Sequence, residues 1–123
     1  MVPTLTIAYE ASADVEGFLI ARFSDGANTS RIAGATSNTH PILGIVDRVG
    51  GAEGKMVDIH LDGTADCRLG GTVNAGDPLT ADAESRAVAS TAGAGRRIVG
   101  YALEPGVLGD IIKVRIAPGF HSA

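Results

Sequence analysis

Apolar and polar side chains alternate through the last third of the chain, where Ile112, Val114 and Ile116 point one way and Lys113 and Arg115 the other. A period of two is that of a strand with one face in a core and the other in water. Upstream, Glu104-Pro105-Gly106 predicts a turn, since proline presets φ and glycine accepts φ > 0. Arg97 to Gly119 therefore reads as one hairpin. The pattern recurs from Ile42 to Gly63, with Ile42, Gly44, Gly50 and Gly54 standing as Ile98, Gly100, Gly106 and Gly109 do later. Met56 to Leu61 then matches Ile111 to Ile116 in type.

The same reading predicts strands elsewhere. From Thr4 to Tyr9, Leu5, Ile7 and Tyr9 alternate with Thr4, Thr6 and Ala8, and Pro3 marks an edge strand or an arm. Glu10 to Glu16 is acidic and alanine-rich, and Ser12 or Asp14 is placed to cap a short helical turn that Gly17 stops. Gly17 to Phe23 is a strand, Ser24-Asp25-Gly26 a turn, and Thr29 to Ala33 a return strand. Pro78 to Ala81 and Arg86 to Ala89 form a second such pair around the turn Asp82 to Ser85. Between Val57 and Leu69, a three-residue loop Asp62-Gly63-Thr64 sets Ile59 opposite Cys67, Val57 opposite Leu69 and Asp58 opposite Arg68, which keeps both faces consistent.

The fold class that follows is all-β: a small single-domain barrel or sandwich of short strands and hairpins. Residues 1–16 are expected as an extended N-terminal arm, 17–119 as the domain and 120–123 as a tail. Residues 17–63 and 76–119 share an order of glycine, strand, acidic turn, Ser-Arg return strand, small-residue connector and Ile-x-Gly hairpin. Such short matches arise from internal duplication or from chance in a glycine-rich β chain, and a common strand path in the two halves separates those origins.

Composition narrows the function more than the fold. A chain of 123 residues with 45% hydrophobic content fits one core. Seventeen glycines, 4% aromatic residues and no tryptophan imply many turns and a core of small aliphatic side chains, a thin core that gains from oligomerisation. A net charge of −4 and few aromatics argue against a nucleic-acid surface, which wants a basic stripe and stacking platforms. The single cysteine, Cys67, makes no internal disulfide, so the fold is expected to hold in a reducing cytoplasm. No apolar run approaches a membrane span, and Met1-Val2-Pro3-Thr4 lacks the basic region of a signal peptide.

Candidate chemistry is sparse. His40, His60 and His121 fall in a connector, on the wet face of a strand and in the tail, without ligand spacing. Asp58-x-His60-x-Asp62 puts three polar side chains on one strand face, an arrangement that is more often a solvated face than a metal site. Gly50-Gly51-Ala52-Glu53-Gly54-Lys55 departs from a phosphate loop at Val49 and Met56. Gly93-Ala94-Gly95-Arg96-Arg97 precedes a strand instead of opening a helix. Cys67 lies on the core side, where a thiol behaves as a small hydrophobe. No residue is nominated as catalytic, cofactor-binding or metal-ligating.

Three segments carry a resemblance: Gly70-Gly71-Thr72-Val73-Asn74-Ala75-Gly76-Asp77-Pro78-Leu79-Thr80-Ala81-Asp82, then Arg97 to Glu104, and the ending Ile116-Ala117-Pro118-Gly119. With Gly17 to Ala21 and Ile42 to Val46 they resemble the capsid cement, or head decoration, proteins of tailed bacteriophages. Ser85 stands where that family often has a glycine. The resemblance implies a protein made in the host bacterial cytoplasm that sits on the outer surface of the expanded capsid. There it staples neighbouring copies of the major capsid protein, commonly as a homotrimer. Pro3, Leu5, Ile7 and Tyr9 are the candidate capsid or partner contacts, reaching a neighbour by strand addition or closing the chain's own sheet. A glycan- or small-molecule-binding module is the competing reading, weakened by the short supply of aromatics.

Overall fold

The computed structural model describes residues 5–93 and 95–121, and these are all strand, turn or loop, without helix. Ten strands follow in order: β1 (Thr6–Glu10), β2 (Ile20–Phe23), β3 (Ile32–Gly34), β4 (Ile42–Val46), β5 (Met56–His60), β6 (Gly63–Arg68), β7 (Pro78–Ala81), β8 (Ala87–Ala89), β9 (Arg97–Ala102) and β10 (Ile111–Phe120). They make two antiparallel sheets of five, ordered β1-β5-β4-β2-β3 and β6-β10-β9-β7-β8. The arrangement is sandwich-like and not a closed barrel.

Adding five to each strand number of the first sheet gives the second, so the two halves do follow one strand path. The likeness reaches single hydrogen bonds. Val15 bridges Gly51 as Val73 bridges Gly106, and Ala11 bridges Ile32 as Leu69 bridges Ala87. Phe18 N–H donates to Val46 O as Gly76 N–H donates to Ala102 O. The structure moves two of the sequence matches by one residue. The counterpart of Gly106 is Gly51 and not Gly50, and the counterpart of Gly76 is Phe18 and not Gly17. Phe18 has φ 68° and Gly76 φ 91°, so both copies need a left-handed residue there and only the second has glycine.

Residues 6–10, expected in the arm, form β1, paired along its length with β5 of the same chain, from Thr6 opposite His60 to Glu10 opposite Met56. β1 thus stands to β5 as β6 stands to β10, and the repeated unit reaches further toward the N-terminus than 17. Pro3 lies outside the described residues. The helical turn expected in Glu10 to Glu16 is absent, although Ala11 and Val15 are both buried at a helical spacing. Backbone bridges to β3 and to Gly51 hold this segment extended instead.

The hairpin predicted at Arg97 to Gly119 forms between β9 and β10, with a bulge between Ile116 and Gly119. The hairpin predicted across Asp62-Gly63-Thr64 does not. β5 pairs with β1 and β4, whereas β6 pairs with β10, so the chain changes sheets at Leu61 and Asp62. Val57, Ile59, Cys67 and Leu69 are buried as expected. Alternation fixed which face each strand buries, and left open which partner covers it: Asp58 lies opposite Ala8, and Arg68 opposite Ile111.

Two hydrophobic clusters fill the molecule. One, around Val46, Val57, Ile59 and Ile32, belongs to the first half alone. The larger one holds the second half's Cys67, Leu79, Val99 and Val114 together with Ile20, Ala35 and Ile45 from the first. Thr80 is 4% exposed, and its hydroxyl has no hydrogen-bond partner among the described residues. Thr80→Val, which keeps the β-branched shape and removes the unpaired hydroxyl, is expected to stabilise the chain by about 1 kcal/mol in a denaturant melt.

Candidate functional site

The three histidines stay apart, each with its own partner. His40 accepts from Thr36 N–H at 3.2 Å. Burial, and secondarily the nearby Arg22 charge, lower its pKa, which suits a neutral ring acting as acceptor. His121 shares a hydrogen bond with the Ser90 hydroxyl at 3.0 Å. His60 is the most engaged: Nδ1 lies 2.9 Å from the Thr6 hydroxyl and Nε2 3.0 Å from Asp47 Oδ1. The three side chains follow a hydroxyl–imidazole–carboxylate order, and their position explains what they do. Thr6 opens β1, His60 closes β5 and Asp47 follows β4, so the row ties three neighbouring strands at one end of the first sheet.

Asp58 and Asp62 do not join His60. Among the described residues no group of three His, Cys, Asp or Glu side chains converges as a metal site would require. The clefts are small and open. One, of about 290 Å³, lies between the halves and is lined by Phe18, Asp47, Arg48, His60 and Asp66 among others.

Cys67 is fully buried, and loss of hydration pushes its thiol up from 9.0 to about 12. A thiolate is the reactive form, so this thiol is inert in the folded chain. A thiol reagent at pH 8 is expected to leave native Cys67 unmodified and to label it at once in denaturant. The sign of the pH effect follows from the raised value. Below pH 9 the thiol is protonated in both states and stability is undiminished. As pH climbs from 9 toward 12 only the unfolded chain ionises, and stability falls.

The arginines of the glycine-rich segment both meet groups of this chain, although Arg97 Nε is buried without a hydrogen-bond partner among the described residues. Arg96 donates to Thr91 O at 3.1 Å, and the Arg97 guanidinium lies 4.1 Å from the centre of the Phe120 ring. In the turn Asp82 to Ser85, Asp82 accepts from the N–H groups of Glu84 and Arg86 and pairs with the Arg86 side chain at 3.1 Å. Ser85 has φ 66°, which accounts for a glycine suiting that position.

What stands out instead is exposed apolar surface: besides Val49, Met56 and Phe120, it gathers in two groups. Leu5 and Ile7 are exposed on β1 and the residue before it, on the same face as half-buried Tyr9, whose ring meets Phe23 edge-on at 5.4 Å. Tyr101, Leu103, Val107, Leu108 and Ile111 form a second exposed group on the β9–β10 hairpin. The sequence pointed to the first group through its alternation. It missed the second, because Val107 and Leu108 sit in a turn where apolar residues carry no periodic signal.

The family model for phage cement proteins matches residues 2–116. The structure of the head fiber gp8.5 N base in bacteriophage phi29 is similar, with a TM-score of 0.71 at 22% identity over 92% of this chain and 93% of that one. At that identity the likeness is one of fold. No curated protein sequence matches. With nearly its whole length under the family model, this two-sheet chain belongs to the phage cement proteins, structural components of the phage capsid.

Proposed function

We propose that the protein binds the outer surface of the expanded capsid and fastens neighbouring copies of the major capsid protein, acting as a homo-oligomer, with a trimer favoured. The observation that carries this reading is membership of the cement family in a chain whose exposed features are apolar patches and not a reaction centre. A fastener works by differential affinity: it stabilises whichever lattice state it binds better, by an amount set by occupancy. Linking copies raises avidity without improving any single contact. Pro3, Leu5, Ile7 and Tyr9 supply partner contact in this reading, and no catalysis is needed.

The test is co-sedimentation of the purified chain with expanded and unexpanded empty heads. Saturable binding to expanded heads, with a raised temperature of head disruption, is the expected result. Equal binding to both forms, or to neither, overturns the proposal. Deleting the first nine residues is a poor probe, because it removes most of β1 from the sheet; single substitutions at exposed positions are cleaner.

A further inference from the structure

The two halves share a strand path but differ in what covers them. In the second half the inner face includes Ala65, Cys67 and Ala81, all buried, and they share a cluster with Ile20 and Ile45 of the first half. By the repeat, the counterparts of Ala65, Cys67 and Ala81 are Ile7, Tyr9 and Phe23. Tyr9 packs on the edge of the first-half cluster, but among the described residues nothing lies over Ile7 and Phe23 as Ile20 and Ile45 lie over the second half: Ile7 is 39% exposed, and Leu5 beside it 54%.

The contact between halves is one-sided. β4 packs on β6, β9 and β10, while among the described residues no comparable packing joins β9 to β1 or β5. Ile20 N–H donates to Ser85 O at 2.8 Å, and Arg68 N–H to Phe18 O at 2.9 Å. A two-fold contact between equivalent halves would repeat the second of these in reverse, from Glu10 N–H to Gly76 O, and among the described residues it does not. The first half therefore covers the second in a head-to-tail sense, the kind of interface that leaves one face of each type unused at the two ends. At one end is the Ile7 face. At the other is the face that repeats Ile20 and Ile45, made by Pro78 and Tyr101, with Leu103 beyond them. Tyr101 pairs with Arg115 as Ile45 pairs with His60, yet Ile45 is fully buried and Tyr101 is 39% exposed.

We infer that the Pro78, Tyr101 and Leu103 face of one chain docks on the Leu5, Ile7 and Phe23 face of a second copy, repeating between chains the contact made within each. This rests on the homo-oligomer reading above and names the surfaces that build it. The match is not perfect at the backbone, because Pro78 stands at the counterpart of Ile20 and has no N–H to donate. Side-chain burial therefore carries the contact. Such interfaces close into rings when the rotation allows, and a ring of three chains alternates six half-domains.

The test uses Ile7→Asp and Tyr101→Asp in the full chain, with light scattering for mass and circular dichroism for folding. Wild type is expected at a multiple of the chain mass and each variant at the mass of one chain. An equimolar mixture of the two, held well above the concentration at which wild type assembles, recovers a two-chain species, since each partner keeps one sound face. If either substitution unfolds the chain, Leu5→Asp and Leu103→Asp probe the same faces from more exposed positions. An oligomeric wild type with unaffected variants, or a mixture that stays at single-chain mass, overturns this pairing and leaves the oligomer standing. A wild type that is monomeric at every concentration overturns both, whereas binding to heads is read separately by co-sedimentation.

Discussion

Gly100→Ala is expected to leave the chain without a stable fold, and Gly44→Ala to do nearly the same. The two glycines are counterparts: Gly100 lies opposite Leu79, and Gly44 opposite Ala21. Each presses against the strand on its other side. A Cβ on Gly100 falls deep inside van der Waals contact of Arg115 O, and one on Gly44 does so against His60 O. The obstacle is the backbone of β10, the longest strand, in one case and of β5 in the other, so no side chain can swing away. Relief requires moving a strand in a close-packed interior, at a cost of about 3 kcal/mol or more, a large share of the stability of a domain this size. The measurement is chemical denaturation of each variant beside wild type. A midpoint unchanged in either variant would show that the strands do not approach as described.

Ile45→Ala carries the second large effect. Ile45 belongs to the first sheet by pairing and to the second half by packing, fully buried in the larger cluster. Truncating a buried isoleucine costs about 2–5 kcal/mol, and the upper part of that range applies where the site cannot collapse. Here the cavity opens between two sheets, each stiffened by its own ladder. Tyr101→Ala at the counterpart position removes little from an isolated chain, under about 1 kcal/mol, because that ring is partly in water. Equal losses for the two variants in a monomeric background would contradict the one-sided contact between halves.

The strands, and the order of elements that the two halves share, were readable because they depend on short-range rules. Period-two alternation located β1, β5 and β10 and the buried faces of Val57, Ile59 and Cys67, and turn residues located the β7–β8 and β9–β10 connections. Partner choice was not readable. The β5–β6 segment has the faces of a hairpin, and only the competing claims of β1 on β5 and of β10 on β6 prevent one. The extent of the repeat was hidden for a related reason. β1 carries Ile7 and Tyr9 where β6 carries Ala65 and Cys67, so equivalent strands differ in side-chain size while agreeing in path. Phe18 at a left-handed position hid the match to Gly76 in the same way. As to the candidate surface, alternation pointed to Leu5, Ile7 and Tyr9, but the Tyr101 and Leu103 face takes its meaning from Ile45 being covered, which is a fact of packing.

Pairing the first strand of each half with its last has a consequence for synthesis. While the ribosome is still translating the early fifties, β1 has emerged and waits without its neighbour, and the first sheet closes only once His60 is out. The second sheet waits in turn for the segment ending at Phe120. A nascent chain halted between those points presents a finished first half beside a β6 edge with no neighbour, a species prone to pairing with other unfinished chains.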